Sequence, residues 1–120
     1  VLTIAANIVV FLVAALHVYI LILEMFFWDK PLGRRAFGLS ADFAVQTKTL
    51  AANQGLYNGF LAAGLFWGLA LGQAGFSIKV FFLLCVFVAG VYGGLTANKK
   101  ILLIQAVPAA LGLVLLFLAA

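Results

Sequence analysis

The sequence predicts an all-α integral membrane protein: a four-helix bundle with both termini outside and helix 2 protruding into the cytoplasm. Three observations carry the prediction. Of 120 residues, 68% are hydrophobic and only 8% are charged, too apolar for a water-soluble fold. Apolar runs near residues 3–28, 46–72, 78–96 and 101–119 are separated by short polar stretches, room for four spans of about 20 residues in a single domain, 1–120. The basic residues gather in a few of those stretches rather than along the chain.

The first run, Thr3 to Trp28, is too long for a signal-peptide core. Glu24, Asp29 and Lys30 occupy the place of small cleavage-site residues, so it is read as a retained span. Asp29–Leu39 reads DKPLGRRAFGL. Pro31, Gly33 and Gly38 predict a broken, non-helical loop there, and Lys30, Arg34 and Arg35 belong in water or among lipid phosphates. Ser40 is an N-cap candidate, and Asp42 suits the positive end of a helix dipole. Helix 2 then runs from Ala41 to about Gly72, roughly 48 Å against a hydrocarbon core of about 30 Å. Its first turns must stand outside the bilayer.

Gln73–Ser77 reads as a tight turn, with Ser77 capping span 3. Ala97–Lys100 joins spans 3 and 4, and Pro108 should kink the last span because it lacks an N–H. The net charge of +4 reads as a topology signal rather than a nucleic-acid surface. Lys30, Arg34, Arg35, Lys48, Lys99 and Lys100 fall on one side and Lys79 on the other, which puts the larger group in the cytoplasm. The one cysteine, Cys85, excludes an internal disulfide and reads as a small buried apolar residue.

Gln46–Gly72 organises the rest. On a helix, Gln46, Asn53, Gln54, Tyr57 and Asn58 fall within an arc of roughly 140°. Gly64, Gly68 and Gly72 continue that face, Gly55 and Gly59 lie near the opposite one, and Gly90 and Gly94 mark span 3. Small residues four apart let helix backbones approach in lipid, so these seven glycines are the predicted packing positions.

Polar residues inside spans are costly and raise a functional hypothesis. Thr3, Asn7, His17, Glu24 and Trp28 share an arc of about 100° on span 1. Counting turns from the loops puts Glu24, Asn53, Gln54, Tyr92 and Gln105 at one level, some 6–10 Å below the cytoplasmic surface. His17, Tyr57 and Asn58 form a second layer about two turns deeper. One reading is a closed hydrogen-bond network that fixes helix register. The other is a cavity open to the cytoplasmic leaflet for a lipid-like or amphipathic small molecule, lined by these eight residues. His17 and Glu24 are its titratable members. No catalytic residue and no metal-ligand set stands out.

HVYILILEMFFWDKP (His17–Pro31), FGLS (Phe37–Ser40), QTKTLAANQGLYNGFLAAGL (Gln46–Leu65) and GLTANKKILLIQ (Gly94–Gln105) resemble a family of small bacterial four-span membrane proteins known as domain of unknown function 1304. Ala52-Asn53-Gln54, Asn58 and the apolar run from Phe60 more distantly resemble helix 2 of the membrane-associated proteins in eicosanoid and glutathione metabolism. That resemblance implies four spans, outward termini, a protruding helix 2, a trimer, and glutathione held at the cytoplasmic end between subunits. Lys48 is kept from that superfamily's basic positions, but Ala51 replaces another. Gly55 and Asn58 stand where it has an asparagine and an acid, and its catalytic arginine has no counterpart.

The leading expectation is a binding or accessory module of the bacterial inner membrane, a homo-oligomer with a trimer favoured by analogy. Its ligand would be amphipathic, with glutathione or another thiol as the candidate cofactor. The alternatives are a glutathione-dependent transferase, a proton-coupled exporter using Glu24, and a scaffold within a larger complex.

Overall fold

The computed structural model describes residues 1–120 and is entirely helical. Five helices follow one another: α1 (Leu2–Phe26), α2 (Pro31–Phe37), α3 (Ala41–Ala70), α4 (Phe76–Thr96) and α5 (Val107–Ala119). A short 3-10 turn, Gly72–Gly75, leads into α4, and a π turn, Leu102–Ala106, leads into α5. Helices suit a lipid solvent because each closes its own backbone hydrogen bonds.

The expected four-span bundle is not what forms. Three stretches are long and apolar enough to cross a membrane: Leu2–Phe26, Gly72–Thr96 and Leu102–Ala119. The expected second span is helical but is not among them. Asn53, Gln54 and Asn58 within it cost too much hydropathy for its glycines and alanines to offset. With three candidate spans in place of four, the basis for placing both termini outside is removed. The protein is therefore a membrane protein with several apolar helices, and α3 has a different character from the other long ones.

Local chemistry explains most element ends. The Ser40 hydroxyl accepts the Phe43 N–H at 3.2 Å, capping α3 as the sequence predicts. The stretch read as a broken loop instead forms α2. Pro31 sits in its first turn, where a missing N–H costs nothing, and Gly38 ends it at φ +66°, so the supposed helix breakers are its start and stop signals. Gly33 lies in the middle because α2 folds tightly onto the end of α1. A Cβ there would run into the Phe27 carbonyl.

Gly72, expected to continue the packing face of helix 2, ends it with φ +61° and nothing within 4 Å of its Cβ position. Ser77 is not a cap either, since α4 begins one residue earlier, at Phe76, with Gly75 before it. Pro108 has its effect through the turn that precedes it. The Val107 N–H bonds to the Leu102 carbonyl five residues back, a widened ladder of the kind that often accompanies helix irregularities.

The chain divides into two units, Val1–Ala15 with Leu61–Ala120, and Leu16–Phe60. The first has an apolar core of Val10, Val13, Leu65, Leu83, Val86 and Leu116. Its outer faces carry Ile4, Ile8, Phe81, Val88, Leu103 and Phe117, all exposed, as a bilayer partner requires. Close approach is set by glycines. A Cβ on Gly90 would lie 2.6 Å from the Ala106 backbone nitrogen, Gly64 faces the Phe82 ring, and Gly94 faces Leu102. The second unit is built on α1, α2 and α3. Gly55 fits against Met25 and Glu24, and Gly59 against the Leu21 tip. Trp28 donates its indole N–H to the Thr47 hydroxyl at 2.9 Å, and Lys48 pairs with Asp29 at 3.1 Å.

These contacts rank the glycines. Gly90→Ala meets backbone, which cannot step aside, and should cost about 1–3 kcal/mol as overpacking does. Gly59→Ala meets only a leucine methyl, 2.5 Å away, which can rotate, while alanine gains up to about 1 kcal/mol of helix propensity. Thermal unfolding in mild detergent should show a clear drop for Gly90→Ala and little change for Gly59→Ala. Equal drops would contradict the packing described.

Candidate functional site

Each unit carries one charged side chain within a candidate span, and each of these charges meets an asparagine. In Leu16–Phe60, the Asn58 side-chain amide donates to the Glu24 carboxylate at 2.6 Å. His17 is wholly buried in the same unit. In the other unit, Lys79 donates from Nζ to Asn7 Oδ1 at 3.1 Å and is only 5% exposed.

The residues of the sequence-predicted pocket divide between the two units, six in Leu16–Phe60 and two in the other. Glu24 and Asn58, expected in different layers, are in direct contact. Asn53 and Gln54 are exposed on α3, and Tyr57 is 54% exposed, with its ring edge-on to Phe60 at 6.0 Å between centroids. Tyr92 is 70% exposed, and Gln105 is half-buried in the π turn. Both belong to the other unit. The polar stripe of α1 is likewise divided: Thr3 and Asn7 fall in one unit, and His17, Glu24 and Trp28 in the other.

A cavity of about 440 Å³ lies instead at Lys79. Thr3, Asn7, Gln73 and Lys79 give it polar groups, and Ala6, Phe76, Leu116 and Ala119 give it apolar walls. An apolar groove lined by Ile4, Ile8, Phe11 and Leu69 adjoins it, and Asn7 borders both. The lysine reaches this position across Gly68, where a Cβ would lie 2.6 Å from the Lys79 Cγ. Gly75 in turn packs on the Gly68 carbonyl, fixing the turn that feeds α4. The arrangement can hold a polar head beside an apolar body. No group of three or more His, Cys, Asp or Glu residues is placed to bind a metal.

Residues 11–117 match the family described as a protein of unknown function, DUF1304. The chain belongs to that family. It is also 34% identical over 114 residues to the uncharacterised protein YpaA of Lactococcus lactis subsp. lactis, an alignment covering 93% of this chain and 96% of that protein. No solved structure matches, and nothing in these comparisons supports the resemblance to the eicosanoid and glutathione superfamily. Membership of DUF1304 thus brings a bacterial relative and no activity.

Lys79 was the residue hardest to see in advance. Placed one residue inside an expected span, it counts as a loop charge in a topology tally. The available signal was its surroundings: an ionisable residue flanked by an apolar run, with no acid near it in sequence.

Two outcomes follow. Asn58→Leu leaves the part-buried Glu24 carboxyl without its amide and should lower stability by about 1–3 kcal/mol, whereas Glu24→Gln keeps an acceptor and should cost less. Detergent unfolding curves compare them, and a more harmful Glu24→Gln would contradict the assignment. Outside the spans, the hydrogen bond from Lys48 holds the Asp29 carboxyl below the ordinary carboxylate range. Its contribution is present above the unfolded value of about 4 and is lost as pH falls through the lower folded value. The stability difference between wild type and Asp29→Asn should hold steady above about pH 5 and shrink in stronger acid. A difference that grows on acidification would contradict the pairing.

Proposed function

We propose that the chain is an integral-membrane binding module for an amphipathic small molecule, held in the cavity at Lys79 and Asn7. The observation that carries this reading is the position of Asn7, which borders both the polar cavity and the apolar groove. A few convergent polar groups within apolar walls are the usual form of a small-molecule site, and about 440 Å³ falls within the common range of about 300–1,000 Å³. The groove follows α1 from Ile4 to Phe11, about 10 Å along the axis, or roughly a third of the hydrocarbon core. An acyl or alkyl chain has that form.

In this reading Glu24 and Asn58 are a helix fastener rather than a ligand site, and His17 supports the same unit from within. The exposed amides Asn53 and Gln54 would meet a second copy, giving a homo-oligomer in the bacterial inner membrane. The transferase and exporter alternatives have no observation of their own.

Filling the cavity tests the reading. Ala119 lines it and is half-buried near the end of α5, so Ala119→Trp adds bulk there with little demand on the core. Native mass spectrometry from mild detergent should find an amphiphile retained by wild type and lost from the variant. Added amphiphile at about 100 times its Kd should stabilise wild type by about 2.7 kcal/mol and the variant far less. Equal retention and equal stabilisation would contradict the site.

A further inference from the structure

We propose that the cavity seats its ligand by an anionic headgroup, a carboxylate or a phosphate, on Lys79. This rests on the binding-module reading above and adds the ligand's charge to it.

Lys79 is the starting point. An ammonium has three N–H donors, and Asn7 Oδ1, a neutral acceptor, is the partner of its Nζ. Only 5% of the residue is exposed. A buried charge is normally paired, and the chain does pair one elsewhere, Lys48 with Asp29 at 3.1 Å. Lys79 forms no ion pair, the one salt bridge of the structure being Lys48–Asp29. The three acids of the sequence are Glu24, Asp29 and Asp42, and all belong to Leu16–Phe60. The unit that contains the cavity carries Lys79, Lys99 and Lys100 and not one aspartate or glutamate.

Position on the helix adds to the same preference. Lys79 is the fourth residue of α4 (Phe76–Thr96), where the macrodipole is positive and favours negative charge. A lysine is misplaced there on its own terms, and an anion beside it relieves both positive sources together. Thr3 and Gln73 line the same cavity and supply a hydroxyl and an amide able to donate to an oxyanion. An alcohol headgroup would leave the ammonium uncompensated, and a cationic one would add repulsion. The anion is the headgroup whose binding offsets the desolvation of Lys79. The apolar groove beyond Asn7 then takes the chain attached to it.

The test uses the full chain in nanodiscs of zwitterionic lipid. Four probes share one alkyl chain: a carboxylate, a phosphate monoester, an alcohol and a trimethylammonium. Competition binding ranks them, and inorganic phosphate is run beside them. At least one of the two anions should bind about tenfold or more tighter than the alcohol, equivalent to about 1.4 kcal/mol, and the trimethylammonium should bind weakest. Lys79→Arg should keep the order, and Lys79→Met should bring anion and alcohol within about twofold. Should Lys79→Met fail to fold, the order in wild type and Lys79→Arg decides. Alcohol binding as tightly as both anions overturns this inference while leaving the binding module intact, as does an anion preference that survives in folded Lys79→Met. Absence of binding by all four probes, or displacement by inorganic phosphate alone, overturns the amphiphile reading itself.

Discussion

A lysine buried among apolar helices is the constraint on which this structure turns. A charge at the centre of a membrane span costs about 2.5–3.5 kcal/mol on insertion scales and less near a helix end, where Lys79 sits in the first turn of α4, so its surroundings are arranged around it. Gly68 exists as glycine because the Lys79 stem crosses it, and Gly75 because the turn before α4 rests on the Gly68 backbone. Asn7, on the polar stripe of α1, receives the ammonium. The remaining side of Lys79 opens on a cavity. Three local oddities of sequence thus have one physical cause.

Glu24 is the same problem with the opposite sign and a more closed solution. Its carboxylate meets Asn58, and the Gly55 site brings α3 close enough for that contact, with Glu24 and Met25 lying where a Cβ would go. An amide partner suits either charge, since it offers both a donor and an acceptor. What differs is the space around the two pairs. The cavity lies at Lys79, and Glu24 is not among its lining residues.

Much of the fold was legible. The caps and apolar runs predict the helices at Ala41, at the third span and at the fourth to within a few residues, because those signals are local. Two things were not. Pro31 and Gly38 look like breakers until the seven residues between and including Pro31 and Phe37 are seen as a helix with proper ends. The amide-rich stretch around Asn53 has helical periodicity, and periodicity does not measure the cost of putting it in lipid. Glu24 and Asn58, counted to different depths, meet for a geometric reason. Helical side chains lean toward their own N-terminus. The pairs Asp29–Lys48 and Glu24–Asn58 run antiparallel, so two residues assigned to different depths lean toward each other and touch. Lys79 and Asn7, 72 positions apart, carry no local signal that joins them.

In the proposed site the Lys79 ammonium is the group that receives the ligand. Side-chain NMR of lysine-labelled protein in nanodiscs observes it directly among five lysines, the others being Lys30, Lys48, Lys99 and Lys100. On titration with an alkyl carboxylate, the account predicts a saturable shift of the Lys79 ammonium signal, assigned by its absence in Lys79→Arg, with the other four little changed. Saturable shifts confined to the other lysines, with Lys79 unmoved, would contradict it.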